Sequence, residues 1–119
     1  MNILLIDNDS ENLQSVEAAL RLNGYSVQGF NDLVSADSFL RTGNFDIIIS
    51  DFHLASHTRG SDIFDILAGL SLSNPVILMS GNPDINIDDL KRHPGFFRFF
   101  SKPINIIAIL EELKRVDSI

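Results

Sequence analysis

Four residues of this chain have types and positions suited to chemistry: Asp7, Asp51, Ser80 and Lys102, two acids, a hydroxyl and an amine, each at the end of a short apolar run. The chemistry that uses such a set is phosphoryl transfer to a carboxylate. Aspartate is a competent but weak nucleophile toward a phosphoryl group, and it needs its target's negative charge neutralised and held in line. A hard divalent ion such as Mg²⁺ is bound by one or two carboxylates plus waters and neutralises that charge. Lysine covers a second oxygen as a point charge, and a hydroxyl or backbone N–H covers a third. On this reading Asp7 and Asp51 hold the metal, Asp51 attacks, and Lys102 and Ser80 clasp the phosphoryl oxygens. Taken singly the residues have plainer roles: Ser80 is an ordinary turn residue, and Lys102 before Pro103 is a solvated lysine in an extended dipeptide. Drawn together from distant segments, they mean more than any one member.

The elements that must position them alternate strictly. Ile47-Ile48-Ile49-Ser50-Asp51 is β-branched, short and ends on a carboxylate, the pattern of a fully buried strand in a parallel sheet. The expected strands are 2–6, 25–30, 45–50, 76–79 and 96–101. Between them Asp9 or Ser10 caps a helix with Leu13, Val16 and Leu20 on one face, and Asn31 or Asp32 caps a second that runs to Gly43. Ser61 or Asp62 opens a third carrying Ile63, Ile66, Leu67 and Leu70. A weaker fourth spans about 84–92, its apolar face of Ile85, Ile87 and Leu90 being sparse, and Asn105 caps a last helix with Ile106, Ile109, Leu110 and Leu113 inward. Such β–α alternation implies right-handed crossovers and helices on both faces of the sheet. All strand carboxyl ends then share one edge, where ligands of open α/β sheets bind.

Length and charge narrow the classes. At 119 residues, 45% hydrophobic, the chain fits one domain over 1–119 with a core that needs no staples. It has no cysteine, so neither a disulfide framework nor a thiolate site exists, and a reducing, cytoplasmic setting is expected. The first apolar run stops at Asp7, far short of a membrane span. A net charge of −7 argues against a nucleic-acid surface. His53 and His57 sit in a loop without other ligands at useful spacing, which favours solvent-exposed side chains over a metal.

From end to end the chain resembles a response-regulator receiver domain. Ile3-Leu4-Leu5-Ile6-Asp7-Asn8-Asp9 resembles the family's first strand and acidic cluster, and Ile48-Ile49-Ser50-Asp51-Phe52-His53-Leu54 its phosphoacceptor segment. Ile77-Leu78-Met79-Ser80-Gly81 and Phe99-Phe100-Ser101-Lys102-Pro103 match the strands that end in a hydroxyl residue and in Lys-Pro. The resemblance implies a doubly wound, flavodoxin-like α/β fold of five parallel strands in the order 2-1-3-4-5 with five helices. It also implies Mg²⁺-dependent acceptance of a phosphoryl group on Asp51 from a histidine kinase or histidine phosphotransfer protein. The His53 backbone carbonyl would join Asp7 and Asp51 as a metal ligand. Ser80 and Phe99 would move together as a switch, changing the affinity of the face around the fourth helix, last strand and last helix for a downstream protein partner.

Three departures stand out. Asn8 occupies the place of a second acidic residue, often a direct metal ligand, and a neutral amide is the poorer Mg²⁺ ligand. Ala55 replaces the usual proline in a loop one residue longer than usual, and Phe99 lacks a tyrosine's hydroxyl. They keep open a second class, a receiver-fold interaction module independent of phosphorylation. A third, a small aspartyl-phosphate phosphatase resembling the haloacid dehalogenases, is disfavoured because His53 stands where a second aspartate would serve as acid–base. With no output domain in these 119 residues, a stand-alone receiver signalling by protein contact through Arg98, Phe99 and the last helix is expected.

Overall fold

Even and odd positions of the central strands point to opposite sides, and both sides are apolar. Leu4, Ile6, Ile48 and Leu78 pack with Leu33, Ala36, Leu40, Ile63 and Leu67. Ile3, Leu5, Ile47, Ile49, Ile77 and Met79 pack with Leu13, Val16, Leu20, Ile109 and Leu113. A strand apolar at every position has to be covered on both faces, and this one requirement generates the three-layer architecture.

The computed structural model describes residues 1–52, 62–81 and 85–117. Its strands are β1 (Asn2–Ile6), β2 (Ser26–Phe30), β3 (Ile47–Asp51), β4 (Val76–Ser80) and β5 (Phe96–Ser101), and its helices α1 (Ser10–Leu22), α2 (Leu33–Thr42), α3 (Asp62–Gly69), α4 (Ile87–Leu90) and α5 (Ile106–Asp117). All neighbouring strands pair in parallel, in the order β2-β1-β3-β4-β5. Strands β3 and β4 are buried at every residue, whereas the edge strand β2 exposes Ser26 and Gln28. From the contacts, α1 and α5 cover one face and α2 and α3 the other.

Caps set several helix starts. Asp9 accepts the N–H groups of Glu11 and Asn12 at the head of α1, and Asp32 accepts that of Ser35 in α2. That hydrogen bond holds the Asp32 carboxyl below its ordinary value of 3.8. Asn105 accepts from Ile107 and Ala108 in α5. At the end of α1, Gly24 takes a φ of +91°, a conformation in which a Cβ is strained.

Several expected boundaries move: the second strand starts at Ser26 rather than Tyr25, the fourth runs on to Ser80, and two changes are larger. The third strand starts at Ile47 and includes Asp51, because Phe45 and Asp46 serve the turn before it: Asp46 Oδ2 accepts the Asn2 N–H and the Asp46 N–H bonds the Asn2 carbonyl. Helix α4 is only one turn long, shorter than the expected 84–92. Asn86 caps it by accepting from Asp88 and Asp89, and after Leu90 the bonds of Arg92 and His93 tighten to three-residue spacing ahead of Pro94. The expected segment 82–84 lies outside the described residues.

Candidate functional site

The strand ends bring the sequence-predicted residues to one edge. Asp7 follows β1 directly, its N–H bonded to the Phe30 carbonyl at 3.0 Å, which fixes it between β1 and β2. Asp51 closes β3 in register with Met79, and the Phe52 N–H continues the ladder to the Met79 carbonyl at 2.7 Å. Ser80 closes β4, and its carbonyl accepts the Lys102 N–H at 2.8 Å, so the lysine backbone is held beside the serine. Asp7, Asp51 and Ser80 are 0%, 4% and 1% exposed, and with Ser50 they are the buried polar residues among those described.

One side chain joins them. Lys102 Nζ lies 3.0 Å from Asp51 Oδ2 and 3.6 Å from Asp7 Oδ1, bridging residues 51 apart in sequence in the first case. Buried carboxylates require such partners, because unpaired charge out of water is costly. Asp7 is also bound by the Asp9 N–H, 2.9 Å from its Oδ1, and by the side-chain amide of Asn12 on its Oδ2. Asn12 is the residue that sequence reasoning missed. The signal was present, since Asp9 caps α1 and thereby places Asn12 in the first turn, next to the end of β1.

The expected roles divide as follows. Asp7, Asp51, Ser80 and Lys102 share the edge, while Asn8 beside them is exposed. Phe99 is half-buried in β5, paired with Leu78 of β4 and packed against the cluster that contains Leu4, Ile6 and Ile48. His53 and its carbonyl, with Ala55, His57 and the rest of 53–61, lie outside the described residues. An open groove of about 380 Å³ adjoins the site, lined by Asp9, Asn12, Lys102, Pro103 and neighbours on α1 and α5.

Two hard-oxygen carboxylates converging within reach of one ammonium fit Mg²⁺ chemically. Among the described residues no three His, Cys, Asp or Glu side chains are grouped to hold a metal. A small octahedral cation that retains several waters needs no more than one or two carboxylates. The residues at hand for it are Asp51 and Asp7.

Residues 3–114 match the family model described as the response regulator receiver domain. The two-component response regulator ORR22 of Oryza sativa is 31% identical over 118 residues, 98% of this chain and 16% of its own length. The chain spans less than half the length of such curated relatives, 16% of ORR22 and 48% of the response regulator protein PmrA of Pseudomonas aeruginosa, which is 29% identical over 106 residues. Among solved structures, a CheY-like receiver domain protein from Methanospirillum hungatei superposes with a TM-score of 0.86 at 21% identity, covering 98% of this chain and 94% of that one. A response regulator from Burkholderia pseudomallei, solved with a phosphorylated aspartic acid, a calcium ion and citrate, has a TM-score of 0.81 at 22% identity over 98% of this chain and 69% of its own.

Proposed function

The chain belongs to the response-regulator receiver family, and from that premise we propose that Asp51 is its phosphoacceptor, that Asp7 and Asp51 bind Mg²⁺, and that a histidine kinase or histidine phosphotransfer protein supplies the phosphoryl group. The family is a phosphoacceptor signalling module of two-component systems rather than a class of turnover enzymes. The observation that carries the reading is the reach of Lys102 to both carboxylates, at 3.0 and 3.6 Å.

In this reading an Asp51 carboxylate oxygen attacks phosphorus, the P–N bond of the donor phosphohistidine breaks, and the imidazole leaves with its electron pair. The product is an acyl phosphate on Asp51. Mg²⁺, when bound, supplies charge neutralisation, with the His53 carbonyl as a further expected ligand and Asn8 as a weak one. Lys102 exchanges its contact with Asp51 for one to a phosphoryl oxygen, and Ser80 donates its hydroxyl to another. Because Ser80 and Lys102 are tied through the backbone at 2.8 Å, the two donors act as one unit. The new charge then biases Ser80 and Phe99, and through them the face formed by α4, β5 and α5 toward a downstream protein.

Intact mass after brief exposure to acetyl phosphate, with and without Mg²⁺, tests this directly. The expected result is a metal-dependent gain of one phosphoryl group in the wild type and none in Asp51→Asn. No adduct at any time would leave a phosphorylation-independent interaction module as the better account.

A further inference from the structure

The carboxylate of Asp7 is served by protein donors on both oxygens. Oδ1 accepts the Asp9 N–H at 2.9 Å and faces Lys102 Nζ at 3.6 Å. Oδ2 accepts the amide of Asn12. That amide is aimed by a first turn fixed at a second point, since the Asn12 N–H itself bonds Asp9 Oδ1 at 3.3 Å. Asn12 also lines the open groove with Asp9 and Lys102, so its side chain has room to turn away from Asp7. A donor on a buried carboxylate stabilises charge that is otherwise left without water. The same donor occupies a lone pair that a cation would use.

We propose that Asn12 is a positioning residue that competes with a divalent cation for Asp7. It stabilises Asp7 in the metal-free protein and has to withdraw or turn when the ion engages, so Asn12 sets the Mg²⁺ affinity of the Asp7–Asp51 pair. This rests on the reading above in one respect, that the ion concerned is Mg²⁺. The role differs from that of Asn8, which lowers affinity by supplying a poorer ligand. Asn12 lowers it by satisfying a good one.

Calorimetric titration of MgCl₂ into wild type, Asn12→Leu and Asn12→Asp, paired with thermal melts in the absence and presence of saturating MgCl₂, tests the proposal. Leucine keeps the approximate size of the side chain and favours the helix, but removes the donor. Asn12→Leu is expected to bind Mg²⁺ roughly ten- to a hundred-fold more tightly, in line with the worth of a hydrogen bond to a charged group. It should melt lower than wild type without the ion, and the gap should narrow in saturating MgCl₂, because a tighter ligand stabilises more. Asn12→Asp replaces the donor with a like charge and should bind more tightly still, which keeps the test decisive if the leucine variant folds poorly. Equal affinity, with the same loss of melting temperature in both buffers, would reduce Asn12 to an anchor for α1 and overturn the proposal while leaving the Mg²⁺ reading intact. Weaker binding in both variants would overturn it as well, showing that the amide assists the ion. If neither wild type nor either variant binds Mg²⁺, the proposal and the metal reading fall together.

Discussion

Strand β5 and its end carry two cations with opposite circumstances. Lys102, 24% exposed, faces two buried carboxylates at the sheet edge. Arg98, 45% exposed, lies 3.1 Å from Glu112 Oε2 on the outer side, stacks over the Phe97 ring at 4.9 Å and donates to the Phe97 carbonyl. The Glu112 oxygen has no hydrogen bond despite that approach, so the contact is electrostatic only. Around Lys102 the backbone is set by β1, β3 and β4, three strands buried throughout except at Asn2. Around Arg98 the neighbours are half-buried phenylalanines and a one-turn α4. The proposed chemistry therefore sits at the end of the most deeply buried strands, and the proposed partner face sits on less buried elements. A small charge change at the first can redistribute conformations of the second without disturbing the sheet.

The sharpest way to break this contrast is to remove each cation. Lys102→Met is expected to lower stability by about 2 kcal/mol in Mg²⁺-free urea titrations, because Asp7 stays buried with its only cation gone among the described residues. The same variant should slow phosphorylation of Asp51 on the order of 100-fold in the mass assay. Arg98→Met should cost less, about 1 kcal/mol, because Arg98 is half in solvent and Glu112, 13% exposed, keeps Arg115 at 3.5 Å. Equal costs for the two would erase the distinction between a buried site and a solvated face.

A smaller effect probes the face alone. Asn86→Ala removes the cap that accepts from Asp88 and Asp89, worth about 1 kcal/mol. Because α4 contributes one buried residue, Leu90, the loss should be local. Hydrogen exchange at Lys91, whose N–H bonds the Ile87 carbonyl, should accelerate several-fold, while amides of β3 and β4 stay unchanged. A uniform acceleration across the sheet would show that α4 unfolds only with the whole domain, and that the face is as stiff as the site.

Much of this was legible in the chain. Unbroken apolar runs such as Ile47-Ile48-Ile49 have to be covered on both faces, and alternation with amphipathic segments leaves few ways to do that, so the doubly wound architecture follows from hydrophobicity and period. The strand order 2-1-3-4-5 came from the resemblance, and the sheet bears it out. The identity of Asp7, Asp51, Ser80 and Lys102 as strand-end residues follows from the same pattern. What tertiary structure alone decided is reach: a lysine meeting carboxylates behind β1 and β3, and an amide in the first turn of α1 closing on Asp7. Contacts of that kind depend on angles between elements and on side-chain rotamers, to which periodicity is blind. The length of α4 was likewise decided locally, where the Asn86 cap and Pro94 outweighed a sparse apolar face that packing had little reason to extend.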